Sequence, residues 1–264
     1  MKYTFILPYF FLISTNTFPQ PYAIQQLEQS PRHHEWVQLI SNGRNLSCFV
    51  TYPESSKSAT VILLIHENRG LNDWARSMAD QLSEAGYIVI APDLISGINS
   101  KYEKTMDYPT TDQARTAIYG LKQHEVLNDL DAVFTYAENI PAGTGQVAVM
   151  GFCWGGSQTF TYATHNPRIM AGFVFYGTGP KDRGSYKNIA APIYGFYGGA
   201  DQRVNATISN SVAAMKQYQK IYKPKIYEGA GHAYMRSGDD PYGSPENISA
   251  RDQSWQRIKA ILKP

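Results

Sequence analysis

The apolar run Val147-Ala148-Val149-Met150 passes directly into Gly151-Phe152-Cys153-Trp154-Gly155-Gly156. A β-rich run that meets Gly-x-Cys-x-Gly reads as a buried strand turning sharply into a helix, with the cysteine at the apex. Such a turn strains the apex residue, and only glycine neighbours let strand and helix approach closely. Serine is the usual occupant of that apex, so a thiol there is a specific choice that points to nucleophilic chemistry. Close strand–helix packing with no chemistry fits the same six residues taken alone.

The rest of the chain supplies a setting for that turn. Trp36–Ile40 and Leu46–Tyr52 are short β-rich runs joined by Ser41-Asn42-Gly43-Arg44, which predicts a hairpin. Thr60–Ile65 and Tyr87–Ala91 are almost continuously apolar, as strands buried on both faces should be. Between them Asn72–Ala85 has helical spacing and is closed by Gly86. Leu94–Tyr108 has no clear period and reads as a loop, and Asp112 to Asn139 as a long helix with a break at Gly120. Trp154–His165, Ala206–Tyr222 and Ile248–Leu262 are further helices, and Ala171–Tyr176, Pro192–Tyr197 and Lys225–Tyr227 further strands. Strands alternating with helices predict an α/β fold, a mostly parallel central sheet with helices on both faces. With no repeat or linker in view, residues 24–264 read as one domain.

Residues 1–23 read as a signal peptide. Lys2 supplies a positive start, Tyr3–Ile13 is apolar apart from Thr4 and Pro8, and Ser14-Thr15-Asn16-Thr17 is a polar exit. The apolar run is short for a bilayer span, so a cleaved segment with a cut near Ala23 is expected rather than a membrane anchor. The expected location is therefore secreted or periplasmic. There Cys48 and Cys153, the two cysteines of the chain, could in principle pair, but Cys48 on a predicted strand reads better as a small buried hydrophobe. A net charge of +2 with both signs scattered gives no electrostatic case for a nucleic-acid partner.

The chemistry-bearing residues fall just after predicted strands, where ligands bind in parallel sheets. Asp201 ends Gly198-Gly199-Ala200-Asp201, and His232 ends Glu228-Gly229-Ala230-Gly231-His232. Nucleophile, acid, histidine is a triad order in which His232 exchanges the proton and Asp201 fixes its tautomer. His33, His34, His66, His124 and His165 compete for that role, but none follows the last core strand in a Gly-rich loop. After Val61–Ile65 comes His66-Glu67-Asn68-Arg69-Gly70. The backbone N–H groups of Asn68 and Trp154 are candidates for an oxyanion hole. Glu67 is either a carboxylate that controls the thiol proton or a solvated loop glutamate. No metal-ligand spacing and no phosphate-binding glycine loop is present, so neither a metal nor an organic cofactor is expected.

Taken together these segments resemble the dienelactone hydrolase (carboxymethylenebutenolidase) family of the α/β-hydrolase fold. The likeness rests on Gly151–Gly156, His66-Glu67 with Gly70, Ala91-Pro92-Asp93-Leu94, Gly198–Asp201 and Gly231-His232-Ala233-Tyr234, and it runs from about Trp36 to the C-terminus. It implies a Cys153–His232–Asp201 triad that hydrolyses a small ester or lactone through an acyl-thioester. It also implies that Glu67 holds the resting thiol and that Arg236 binds a substrate carboxylate. Ile95–Ser100 lacks the second arginine and the tyrosine that follow Pro-Asp-Leu in family members, so half of that clamp is missing. The alternatives are a thiol acyltransferase or peptidase on the same triad, and a non-catalytic binding protein with a hydrolase-like pocket. A monomer is favoured.

Overall fold

The computed structural model describes residues 20–263. A helix α1 (Pro21–Gln29) precedes a hairpin of β1 (His34–Ser41) and β2 (Arg44–Thr51). Then follow β3 (Ala59–Ile65), α2 (Asp73–Glu84), β4 (Ile88–Pro92), α3 (Thr111–Gly120) and α4 (Gln123–Glu138). The second half comprises β5 (Gly143–Phe152), α5 (Trp154–His165), β6 (Gly172–Phe175), β7 (Ile193–Gly198), α6 (Gln202–Gln217), β8 (Tyr222–Tyr227), α7 (Tyr234–Ser237) and α8 (Pro245–Leu262).

Among the described residues one sheet runs in the order β1-β2-β4-β3-β5-β6-β7-β8. β2 is antiparallel to both β1 and β4, and the remaining pairs are parallel. The hairpin turn puts Asn42 and Gly43 at φ 49° and 71°, the left-handed pair that matches strand twist. In the parallel strands successive side chains serve opposite cores. Val61, Leu63 and Ile65 of β3 face the layer of α4, α5 and α6, whereas Ile62 and Leu64 face that of α1, α2 and α8. Burial on both faces is why these segments are apolar without alternation.

The predicted long helix is two helices. α3 stops at Gly120 and α4 restarts at Gln123, with Glu125 accepting from the Lys122 backbone N–H as in a capping box. β8 begins at Tyr222, three residues earlier than its apolar end implies, because it exposes Lys223 and Lys225 at the sheet edge. α6 accordingly ends at Gln217 and starts at Gln202. The 94–108 segment is a loop closed by a short 3₁₀ turn, Thr105–Asp107. It is pinned from below by Asp93, which accepts from the Thr105 backbone N–H at 2.6 Å and its hydroxyl at 2.7 Å.

Most of the expected signal segment, residues 1–19, lies outside the described residues. Ala23 sits within α1, fully buried in the core it shares with Trp74, Met78 and Leu82 of α2. Both cysteines are free thiols, so the pairing of Cys48 with Cys153 is not made, and Cys48 is buried on β2. Among the described residues no helix is long and apolar enough to cross a membrane.

Candidate active site

β5 hands over to α5 at Cys153, whose φ of 54° lies in the left-handed region that side chains avoid. The turn is possible because its neighbours are bare. A Cβ on Gly151 would stand 2.1 Å from the Gly155 carbonyl oxygen, and one on Gly155 would stand 2.3 Å from that of Ile65. The Cys153 N–H donates to the Phe175 carbonyl at 3.0 Å, tying the elbow to the end of β6. Tyr176, the next residue, is also strained at φ 38°, as is Ala233 at 59°. Backbone strain therefore gathers around the thiol, as it does at sites where the surrounding structure over-determines a geometry.

His232 arrives from the loop between β8 and α7, where the Gly231 N–H donates to Asn247 Oδ1 at 2.9 Å. Its Nε2 lies 3.1 Å from Cys153 Sγ, and its Nδ1 lies 2.5 Å from Asp201 Oδ2. A carboxylate can only accept, so Nδ1 carries the proton and Nε2 is free to take one from sulfur. Asp201 is buried, and its other oxygen accepts from the Val204 N–H at 3.2 Å as the N-cap of α6. That second bond stops the carboxylate from rotating away from the imidazole. The Tyr176 ring meets His232 edge-on with centroids 5.1 Å apart.

Glu67 is on the other side of the sulfur and is only 3% exposed, which removes the solvated-loop alternative. Its Oε2 accepts from Arg236 Nε at 2.9 Å, and its Oε1 accepts from the Tyr176 hydroxyl at 3.3 Å. Neither oxygen has a hydrogen bond to Cys153; Glu67, expected to hold the thiol, and Arg236, expected to bind a substrate carboxylate, are bonded to each other. Burial first, and the Glu67 charge second, push the thiol up to about 11. The backbone N–H groups of Trp154 and Asn68 both reach the sulfur and pull the other way, as does the charge of Arg203. These two amides are the pair expected to form an oxyanion hole, and both act on the Cys153 sulfur.

His66 anchors this wall. Its Nδ1 donates to the Glu67 carbonyl at 2.7 Å, and its Nε2 accepts from the Leu94 N–H at 3.3 Å. The ring stacks on Trp154 with centroids 5.6 Å apart, and burial holds its pKa down to about 4. It is a neutral strut between two loops, with both nitrogens committed.

Across residues 46–264 the sequence matches the model of the dienelactone hydrolase family. The chain belongs to that family. A protein of Saccharolobus solfataricus provisionally named carboxymethylenebutenolidase is 31% identical over 252 residues, spanning 84% of this chain and 95% of that protein. An Escherichia coli protein of the same provisional name is 30% identical over 246 residues, 86% of each chain. Among solved structures, a provisionally named dienelactone hydrolase from Klebsiella pneumoniae superposes with a TM-score of 0.73 at 24% identity, covering 87% of this chain and 97% of that one. The dienelactone hydrolase from Anabaena variabilis gives 0.63 at 16% identity, covering 84% and 95%. At these identities the superpositions establish the fold, which is that of the α/β-hydrolases.

In this dienelactone hydrolase family member a cavity of about 570 Å³ opens onto Cys153 and His232. Sequence reasoning missed several residues that line it, among them Tyr119, Tyr176 and Arg203. Tyr176 carried one usable signal, since it directly follows β6 at the strand end where ligands bind. Tyr119 reaches the site because its hydroxyl accepts from Asn68 Nδ2 at 3.0 Å. No local pattern announces that contact between residues 51 positions apart.

Proposed function

We propose that this protein is a cysteine hydrolase of small carboxylic esters or lactones, working through an acyl-thioester. The observation that carries the reading is the unbroken line from Cys153 Sγ to His232 at 3.1 Å and from His232 to Asp201 at 2.5 Å. The resting thiol is protonated, given a pKa pushed up to about 11. As the sulfur attacks the carbonyl carbon, His232 Nε2 takes its proton and Asp201 stabilises the resulting imidazolium. The carbonyl oxygen, now negative, accepts from the N–H groups of Asn68 and Trp154. Collapse expels the alkoxide, which recovers the proton from His232 and leaves the acyl group on sulfur. Water, deprotonated by the same imidazole, then attacks the thioester and regenerates the thiol.

The names of the relatives, carboxymethylenebutenolidases, support ester or lactone bonds as the target. The intact line of contacts supports catalysis over a pocket that only binds. We further propose export, with the cut ahead of α1, because cleavage at Ala23 would remove the first turn of a helix packed against α2. The test is turnover of p-nitrophenyl acetate and a lactone panel by wild type and Cys153→Ala. Wild type should turn over, and the variant should lose at least about 10³-fold in kcat/KM. Equal rates would remove the nucleophile. Faster transfer to amine acceptors than to water would favour the acyltransferase reading.

A further inference from the structure

Thr178 lines the cavity that opens onto Cys153. That residue also borders a neighbouring cavity of about 520 Å³, which lies between the 178–186 segment and α6. Helix α6 serves both spaces. Arg203 and Val204 line the catalytic cleft, and Thr207, Asn210 and Ser211, one to two turns further along, line its neighbour.

The charge in these two spaces is one-sided. Arg203 lines the first and Lys181 and Arg183 the second, while no aspartate or glutamate lines either. The chain as a whole has 24 Lys and Arg against 22 Asp and Glu, so the segregation is local. Among the described residues none of the three cations is in an ion pair, and Arg183 donates only to the neutral Gln217 Oε1 at 3.0 Å. Asp182, between Lys181 and Arg183 in the sequence, lines neither cavity and accepts from the Gly184 N–H at 2.9 Å as a cap. Arg236 offers no substitute, because its guanidinium is held by Glu67 and it is not on the wall of the catalytic cleft. The buried Tyr186 gives the second cavity an apolar floor.

We infer that this second cavity is a subsite for the end of the substrate remote from the scissile bond. It takes a carboxylate or similar anion beside the stretch of α6 that lies one to two turns, about 5–10 Å, beyond Arg203. The substrate class is then an elongated ester with a terminal acid, lying along α6 with its chain on Tyr186 and its anion between Lys181 and Arg183. This inference rests on the hydrolase reading above and narrows it.

The test compares kcat/KM within matched pairs. On the acyl side, p-nitrophenyl monoesters of succinic and suberic acid are set against the butyrate and octanoate. On the alcohol side, butyrate esters of short and long ω-hydroxy acids are set against those of neutral alcohols of equal length. In 20 mM salt the wild type should favour the long anionic member over its neutral match by about fivefold to tenfold in one series. The preference should shrink in 500 mM salt, where screening is severe. The double variant Lys181→Glu/Arg183→Glu should reverse the long-chain preference. The readout is a ratio within one preparation, so partial misfolding of the variant cannot imitate the reversal. No anionic preference in either series, or an unchanged ratio in the double variant, overturns the inference. If p-nitrophenyl acetate is still hydrolysed in that case, the hydrolase reading stands without it. If no ester at all is turned over, both fall.

Discussion

Two buried carboxylates flank the same sulfur and meet opposite fates. Asp201 is bonded to an imidazole that touches the thiol, so its charge is felt as a proton path. Glu67 is bonded to a guanidinium and a phenol that do not accept the thiol proton, so its charge is felt only through space. A carboxylate on His can be turned into nucleophile activation, whereas the carboxylate held by Arg only adds its charge to the larger effect of burial in raising the thiol pKa. In the proposed mechanism the loops after β7 and β8 drive the chemistry, and the loop after β3 sets the resting state.

The comparison breaks first at Asp201. Asp201→Asn should lower kcat for p-nitrophenyl acetate by about 10³-fold with little change in KM, because an amide oxygen that keeps the Val204 N–H turns the NH₂ toward the imidazole and imposes the wrong tautomer. A loss of under tenfold would mean that the geometry of His232 is set by its loop and not by this carboxylate.

Glu67→Gln should act more gently and in the opposite sense on the free thiol. Burial is the larger cause of the raised pKa and stays, but removing the second cause moves it from about 11 back toward the ordinary 9. At pH 8 more thiolate is then present, so iodoacetamide should label Cys153 about threefold to tenfold faster than in wild type. Equal or slower labelling would show that the Glu67 charge does not reach the sulfur.

A third buried carboxylate, Asp93, sharpens the contrast because it faces neither His nor Arg at hydrogen-bond distance. Its partners are the N–H and hydroxyl of Thr105 and the Ile95 N–H, and burial pushes its pKa from 3.8 up to about 6 in spite of them and of the more distant Arg44. A carboxylate that holds its proton more tightly when folded contributes stability at low pH that is lost as pH rises through about 6. Asp93→Asn cannot ionise. Its unfolding free energy relative to wild type should therefore improve by about 2 kcal/mol between pH 4 and pH 6.5 in urea titrations. A constant difference across that range would assign the raised pKa to some other group.

How much of this was legible in the chain depends on the range of the forces involved. The elbow could be read because its constraint is local: Gly151 and Gly155 must be small for backbone to pass within contact of backbone. The two-sided apolar strands could be read for a similar reason, since burial on both faces removes polar residues from a short run. Asp201 and His232 followed from their places at strand ends. The break at Gly120 was legible as a weak point but not as two caps, and the start of β8 was hidden by polar residues that an edge strand tolerates. Glu67 was legible as a residue near the thiol. Its partner was not, because Arg236 is 169 positions away and only packing selects it.

By itself the sequence determined the buried strands, their alternation with helices and the kind of atom offered at the elbow, since each depends on the preferences of neighbouring residues along one chain. Only the tertiary structure decided which acid speaks to sulfur and which to arginine, and that the cavity of Arg203 and that of Lys181 and Arg183 meet at Thr178. Pairings of that kind are fixed by which loops the folded sheet brings within a few ångströms of one another, and electrostatics in a buried site depends on that distance and on the water excluded.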